Sequence, residues 1–212
     1  RSKFLTMIPL MVDCSKRLVT IFGGGEVGAR KARYFAGEAD VTVYSRTFSP
    51  AFGSIQVKQV STTIPRDETV ITDLIRGAFL VITATSDPDL NQIIATRCRV
   101  DGILCNNATD SHSNVILPAK ITGDRYTIAV STSGGSPAVS RFIREQIEDM
   151  WPDLDLMISL SEELRMDMRT RMIPETRRRE ILTAILHDPA VWKSLRSEPE
   201  DTLMRVKETY LT

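Results

Sequence analysis

Short apolar runs separated by helical patterns fill the first half of the chain. The runs of strand length are RLVTIF, DVTVYS, SIQVKQV, FLVITAT and ILCNNA. Helical spacing occurs at 27–36, which Gly37 would end in a left-handed cap, and at 90–100. FLVITAT is apolar almost throughout, as expected of a strand that is covered on both faces. Strands that alternate with helices predict a doubly wound parallel sheet of the Rossmann type.

The pattern changes after about residue 112. The runs NVILPA and YTIAVS flank KITGDR, whose Gly-Asp pair favours a turn, so this part predicts a hairpin. A helix from Pro137 to about Met150 is expected next, and prolines then divide a series of helical patterns. The expected fold class is α/β, with a Rossmann-type domain over 1–112, a small α+β segment over 113–150 and a helical domain over 151–212.

Composition and charge are those of an ordinary globular protein. The 27 Lys and Arg residues equal the 27 Asp and Glu residues, so no overall field favours nucleic acid or an anionic membrane. No apolar run approaches the roughly 20 residues that span a bilayer. Cys14, Cys98 and Cys105 are odd in number and widely spaced, which argues against disulfides and zinc. We therefore expect a cytoplasmic protein with no resident metal and no nucleic-acid or membrane partner.

A glycine-rich turn lies between the first predicted strand and helix. Gly23, Gly25 and Gly28 fit the pattern G-x-G-x-x-G. Such glycines allow a tight turn, a close approach of the backbone to a pyrophosphate, and close packing of the helix on the strand. The helix N-terminus then offers free N–H groups to the phosphates. We predict a dinucleotide site here, although a strand–helix turn without a ligand has the same residues.

The residues after the second strand leave the choice between NAD and NADP open. A carboxylate about 20 positions further along usually binds the ribose 2′-hydroxyl of NAD. Here Tyr44, Ser45 and Arg46 occupy that region. Arg46 would either receive the 2′-phosphate of NADP or flank the adenosine of either cofactor.

Five short motifs occur in one order along the chain: GGGEVGARKA, ATSDPDLNQ, NATD, VILPA and STSGGSP. In this order they resemble the precorrin-2 dehydrogenase and sirohydrochlorin ferrochelatase family, over about 7–150. Gly28 replaces the family's usual alanine, and the glycine pair of STSGGSP lies one place later. The resemblance implies NAD(P)-dependent oxidation of the tetrapyrrole precorrin-2 to sirohydrochlorin in siroheme synthesis. It also implies a homodimer formed through 113–150, and in some relatives Fe²⁺ is a co-substrate.

The glycine pattern, the family motifs, and the polar and charged residues near them indicate three groups of site residues. The cofactor-binding group is Gly23, Gly24, Gly25, Glu26, Val27, Gly28, Ser45, Arg46, Thr47, Thr85 and Asn91. Within it, Thr85 would line the nicotinamide side and Asn91 would support the Thr85 loop. The catalytic group is Asp110 alone. The substrate-binding group is Asn107, His112, Lys120, Thr132, Ser133, Gly134, Gly135, Ser136 and Arg141.

Several of these roles have a plainer alternative when the residues are considered alone. Asp110 follows a predicted strand, where an ionised carboxylate can accept a proton, but TDSHS is also typical of a turn. Ser136 followed by Pro137 predicts a helix cap, whose free N–H groups would bind a substrate carboxylate, but a capped helix that enters a dimer interface has the same residues. Lys120 and Arg141, taken individually, have the character of solvated surface charges.

Three functional alternatives stay open. The same pocket would in some relatives also insert Fe²⁺ to give siroheme. A non-catalytic module that senses NAD(P) would account for the glycine turn, but it would leave NATD and STSGGSP without a role. A dehydrogenase of another anionic metabolite would use the same parts.

Overall fold

The structure is a computed structural model that describes residues 7–108 and 113–211. The chain divides after Leu117 into two compact units. The first unit therefore takes in 113–117, which the sequence pattern had assigned to the following segment. The further division expected at residue 150 stays a prediction.

The first unit is a five-stranded, wholly parallel sheet with helices on both faces. Its elements are β1 Leu18–Phe22, α1 Glu26–Phe35, β2 Asp40–Ser45, β3 Lys58–Ser61, α2 Glu68–Ile75, β4 Leu80–Thr83, α3 Pro88–Val100 and β5 Leu104–Asn107, with a 3-10 helix Pro50–Ser54 between β2 and β3. The strand order is β3-β2-β1-β4-β5. The predicted Rossmann-type sheet is confirmed.

Alternation along the strands builds two apolar layers. On β1, Val19 and Ile21 pack with Ala32 of α1 on one face of the sheet. Phe22 lies on the other face, in a cluster with Ile94 of α3. Because helices cover both faces of the sheet, the loops at the carboxyl ends of the strands are the part of this unit that can meet a ligand.

The segment after β5 corrects one predicted strand. The run NVILPA does not form a hairpin strand, because its first residues run beside β5. The side chain of Asn114 accepts a hydrogen bond from the Cys105 N–H at 2.6 Å, and Val115 N–H donates to the Cys105 carbonyl at 3.3 Å. Asn106 Nδ2 completes the contact by donating to the Val115 carbonyl at 2.8 Å. The hairpin begins only beyond Pro118, which has no N–H to offer a ladder.

The second unit is a short hairpin followed by helices. Its elements are β6 Ala119–Thr122, β7 Thr127–Val130, α4 Pro137–Met150, α5 Leu154–Thr170, α6 Glu175–Leu186, α7 Pro189–Ser197 and α8 Pro199–Tyr210. The two strands pair antiparallel, so the predicted hairpin is confirmed, with its first strand shifted into AKIT. Leu160, Leu164, Met168 and Ile185 form the centre of the helical core. The proline-divided helical tail is confirmed as well.

Candidate functional site

The order of the strands places a crevice between the carboxyl ends of β1 and β4. The chain crosses from β1 to β2 on one side and, later, to β4 on the other, which makes this the point where the strand order reverses. The loop after β1 is residues 23–25 and the loop after β4 is residues 84–87. Backbone hydrogen bonds fix both loops at their starts, from Gly23 N–H to Tyr44 O at 3.0 Å and from Ala84 N–H to Phe22 O at 2.7 Å.

Three of the glycines in the turn are required by close packing. Gly23 has a φ of +120°, and a Cβ there would collide with the carbonyl of Ala84. A Cβ on Gly24 would collide with the carbonyl of Thr47. A Cβ on Gly28 would collide with the Gly23 carbonyl, so α1 lies directly against the turn. The turn is therefore packed closely against the loop after β4, the loop after β2 and α1.

Gly25 differs, because the space beside it is open. Among the described residues, and apart from its own chain neighbours, no atom lies within 4 Å of the position that its Cβ would take. Gly25 is also the N-cap of α1 and offers no side-chain cap, and the first intrahelical bond runs from Ala29 N–H to its carbonyl at 2.9 Å. The N–H groups of the first turn lack intrahelical partners, and the helix dipole adds positive potential there. Exposed Glu26 and Val27 border the same opening. The turn thus fits the pyrophosphate of a dinucleotide.

The loop after β2 lies against this turn. Ser49 N–H donates to the Gly24 carbonyl at 2.7 Å, and Ser61 Oγ donates to the Arg46 carbonyl at 3.2 Å. The backbone is thereby fixed, while the side chains of Arg46 and Thr47 are exposed. Among the described residues, the Arg46 guanidinium forms no ion pair. Ser45 is half-buried beside Gly24. The residues predicted to meet the adenosine ribose therefore lie together.

A buried side-chain amide on α3 holds the loop after β4. Asn91, fully buried on α3, accepts from the Thr85 N–H at 3.1 Å and from Thr85 Oγ1 at 2.7 Å. Its Nδ2 donates to the Thr85 carbonyl at 3.0 Å. The backbone and hydroxyl of Thr85 are thus both tied to one side chain, across the crevice from the glycine turn.

An ion pair holds the same loop from outside. Arg66, between β3 and α2, lies 2.8 Å from Asp87, the N-cap of α3. The hydrogen bond from Arg66 and a second from the Leu90 N–H hold the pKa of the Asp87 carboxyl below its usual range. Sequence reasoning missed this pair, because its partners are 21 positions apart and Arg66 belongs to no motif.

The described residues on either side of 109–112 meet at the end of β5. Asn107 N–H donates to Ser113 Oγ at 2.8 Å, and that hydroxyl donates to the Asn107 carbonyl at 3.1 Å. Asn107 and Ser113 are therefore joined at the carboxyl end of the strand. Asp110 and His112 lie outside the described residues.

In the second unit, the predicted loop STSGGSP is organised by one hydroxyl. Thr132 Oγ1 accepts from the Ser136 N–H at 2.9 Å and is 3.2 Å from Ser140 Oγ. Ser136 caps α4 by accepting from the Val139 N–H at 3.4 Å, as the sequence predicted. Ser133 and Gly134 have φ values of +53° and +83° and are exposed, together with Gly135.

The two predicted cations of this unit differ in their surroundings. Lys120 lies half-buried on β6, opposite Ala129. Arg141, on α4, is exposed and pairs with Glu145 at 2.9 Å. Within the described residues, no three His, Cys, Asp or Glu side chains are grouped to hold a metal ion. Nor do those residues include a helix long and apolar enough to cross a membrane.

The parallel sheet, the glycine turn and the open helix N-terminus define an NAD(P)-binding Rossmann protein. The sequence also matches the family model NAD_binding_7, an NAD(P)-binding domain, over residues 10–119. It is 38% identical over 211 residues to "Precorrin-2 dehydrogenase" of Methanosarcina barkeri, covering 96% of this chain and 93% of that protein. The chain belongs to the precorrin-2 dehydrogenase family.

One further relative and one solved structure are also similar to this chain. "Siroheme synthase 1" of Aeromonas hydrophila is 33% identical over 174 residues, which is 81% of this chain and only 37% of that longer protein. The solved structure of "SirC, precorrin-2 dehydrogenase" superposes with a TM-score of 0.72 and 23% identity, over 95% of this chain and all of that one. The structural match shows the shared fold.

Proposed function

We propose that this chain oxidises precorrin-2 to sirohydrochlorin with NAD(P)⁺, in siroheme synthesis. The observation that carries the proposal is the open α1 N-terminus at Gly25, at the reversal point of a sheet whose sequence belongs to the precorrin-2 dehydrogenase family. A cofactor that bound there would meet the loops after β1, β2 and β4.

Different residues of the first unit would bind different parts of the cofactor. Residues 23–28 would hold the pyrophosphate, 45–47 the adenosine ribose, and Thr85 the nicotinamide side. Bound NAD(P)⁺ supplies the acceptor for a hydride. Asn91 forms three hydrogen bonds with Thr85, so the backbone and hydroxyl of Thr85 are oriented in part before the cofactor arrives.

The oxidation also releases a proton, and we assign its acceptance to Asp110. The support is its place in NNATD, three residues beyond β5, whose end is fixed by the Asn107–Ser113 contact. A carboxylate at the carboxyl end of a parallel strand is ionised at neutral pH and lies at the rim where such sheets bind ligands. Asn107 and His112 would border the substrate at the same rim.

The second unit has its own candidate partners for the carboxylates of precorrin-2. Exposed Ser133, Gly134 and Gly135 precede the N-terminus of α4, where backbone N–H groups favour an anion. Lys120 and Arg141 would add cationic partners, and Thr132 and Ser136 would fix the loop. Arg141 would have to leave Glu145, an exposed contact that contributes little.

We further propose a homodimer. Exposed Val139, Phe142, Ile143 and Met150 follow one another on α4 at spacings that place them on one side of the helix. A two-stranded hairpin is also marginal without further sheet or packing. Phe142→Glu should convert the dimer to a monomer in a light-scattering mass measurement. A monomeric wild-type protein at micromolar concentration would refute the dimer.

The test of the enzyme assignment is turnover of precorrin-2 with NAD⁺ and NADP⁺ side by side, followed by nicotinamide absorbance. Formation of sirohydrochlorin is expected with at least one cofactor, and Asp110→Ala should abolish it while cofactor binding is retained. Binding of NAD(H) without turnover would instead favour a sensing module. Adding Fe²⁺ with sirohydrochlorin, against buffer alone, decides whether iron insertion is a second activity.

A further inference from the structure

Arg66 belongs to none of the family motifs, yet its guanidinium reaches the loop after β4. Its Nη2 lies 2.9 Å and 2.8 Å from the two carboxylate oxygens of Asp87. The same nitrogen is 3.5 Å from Asp89 Oδ2. One cation from the β3–α2 connection is therefore shared by two carboxylates at the start of α3.

Asp87 passes this contact on to Thr85. The Asp87 N–H donates to Thr85 Oγ1 at 3.2 Å, and the Asp87 carbonyl lies 3.1 Å from the same hydroxyl. The Asp87 side chain also caps α3 by accepting from the Leu90 N–H at 3.1 Å. Asp87 is thus bonded to Arg66 through its side chain and to Thr85 through its backbone, opposite the buried amide of Asn91.

We propose that Arg66 is a positioning residue, which holds Asp87 and thereby keeps Thr85 in the geometry that receives the nicotinamide half of the cofactor. The inference rests on the proposed function. Asn91 fixes the loop from the core, and Arg66 fixes its exposed side. Loss of Arg66 leaves the fold intact and lets the loop occupy other conformations.

The expected effect is on cofactor affinity rather than on stability. The side chains of Arg66 and Asp87 are 54% and 38% exposed, so the pair is screened and adds little to global stability. Apparent affinity falls in proportion to the fraction of molecules whose loop is competent to bind. A contact of this kind changes the equilibrium between competent and other loop conformations by at most about fivefold, which is the upper limit for the change in affinity.

Arg66→Ala is compared with Arg76→Ala as a matched control. Arg76 also forms an exposed ion pair, with Asp73 at the other end of α2. The dissociation constant of NADH or NADPH, whichever the wild type binds, should rise by up to about fivefold in Arg66→Ala and stay unchanged in Arg76→Ala. KM for the cofactor should rise with it, kcat should change less, and Arg66→Lys should restore part of the loss.

A double-mutant cycle identifies the partner. Asp87→Asn keeps a good helix cap but removes the carboxylate charge. If Arg66 acts through Asp87, the double variant binds cofactor no more weakly than Asp87→Asn alone. Wild-type affinity in Arg66→Ala, equal losses in both arginine variants, or additive losses in the cycle would overturn the inference. A wild-type protein that binds neither reduced dinucleotide would refute the proposed function instead.

Discussion

Gly25 is the N-cap of α1 and Gly28 lies in its first turn, and the same added methyl group should affect the two positions in opposite ways. At Gly25 the methyl enters open space, and the φ of −80° suits alanine. Alanine is a poorer N-cap than glycine by a few tenths to about 1 kcal/mol. It also stabilises the folded state by about 0.4–1 kcal/mol, because it lowers the conformational entropy of the unfolded chain. The two contributions nearly cancel, so Gly25→Ala should have almost unchanged stability.

Affinity for the cofactor should fall in Gly25→Ala. The methyl would occupy the space through which a phosphate approaches the N–H groups of α1. A lost hydrogen bond to a charged group is worth about 1.5–3 kcal/mol, which corresponds to about a 10- to 150-fold weaker dissociation constant. Titration of NADH fluorescence measures this loss.

Gly28→Ala should instead lose stability. Its Cβ meets the Gly23 carbonyl, a backbone atom that cannot move aside cheaply. Overpacking of this kind costs about 1–3 kcal/mol, which lowers the melting temperature by about 3–10 °C. Gly53→Ala, which also enters open space but in the 3-10 helix, is the control for both measurements. A folded Gly25→Ala variant with wild-type NADH affinity would refute the placement of the pyrophosphate.

Three further predictions concern other parts of the chain. Burial lowers the pKa of Lys31 from its ordinary value of 10.5. Between the lowered value and 10.5, the unfolded chain binds more protons than the folded chain, so wild-type stability rises with pH in that window. Lys31→Met should therefore melt higher at pH 7, and its advantage over the wild type should shrink as the pH approaches 10.5. Asn91→Ala leaves the Thr85 N–H without its amide partner and should cost about 1–3 kcal/mol in chemical denaturation; unchanged stability would contradict the buried contact. The only tryptophans, Trp151 and Trp192, lie in the second unit, so indole emission should report the unfolding of that unit. A loss of indole signal in a variant destabilised only in the first unit would show instead that the two units unfold together.

The alternation of strands and helices was enough to predict the parallel sheet, because most of its strands are short runs rich in β-branched and apolar residues between helical patterns. The prediction missed α2, whose apolar residues Val70, Ile71, Leu74 and Ile75 have helical spacing but extend over only two turns. The misassigned strand NVILPA shows another limit. Its pairing with β5 depends on side-chain amides of Asn106 and Asn114, which no β-propensity describes.

The site was predictable where one motif holds the function and unpredictable where distant residues meet. The glycine pattern located the turn, but it could not distinguish open Gly25 from Gly23 and Gly28, which are packed. Nothing near Arg66 in the sequence indicates Asp87, since the contact arises only when α2 and α3 start side by side. The roles of Asp110 and His112 stay predictions.

The amide contacts beside β5 also bear on aggregation. A sheet edge with unpaired backbone groups recruits strands from other molecules. Here the backbone N–H and carbonyl of Cys105 on that side are already hydrogen-bonded to Asn114 and Val115. The opposite edge, β3, is only four residues long and carries an exposed lysine, Lys58. Both borders of the parallel sheet therefore resist edge-to-edge growth into fibrils.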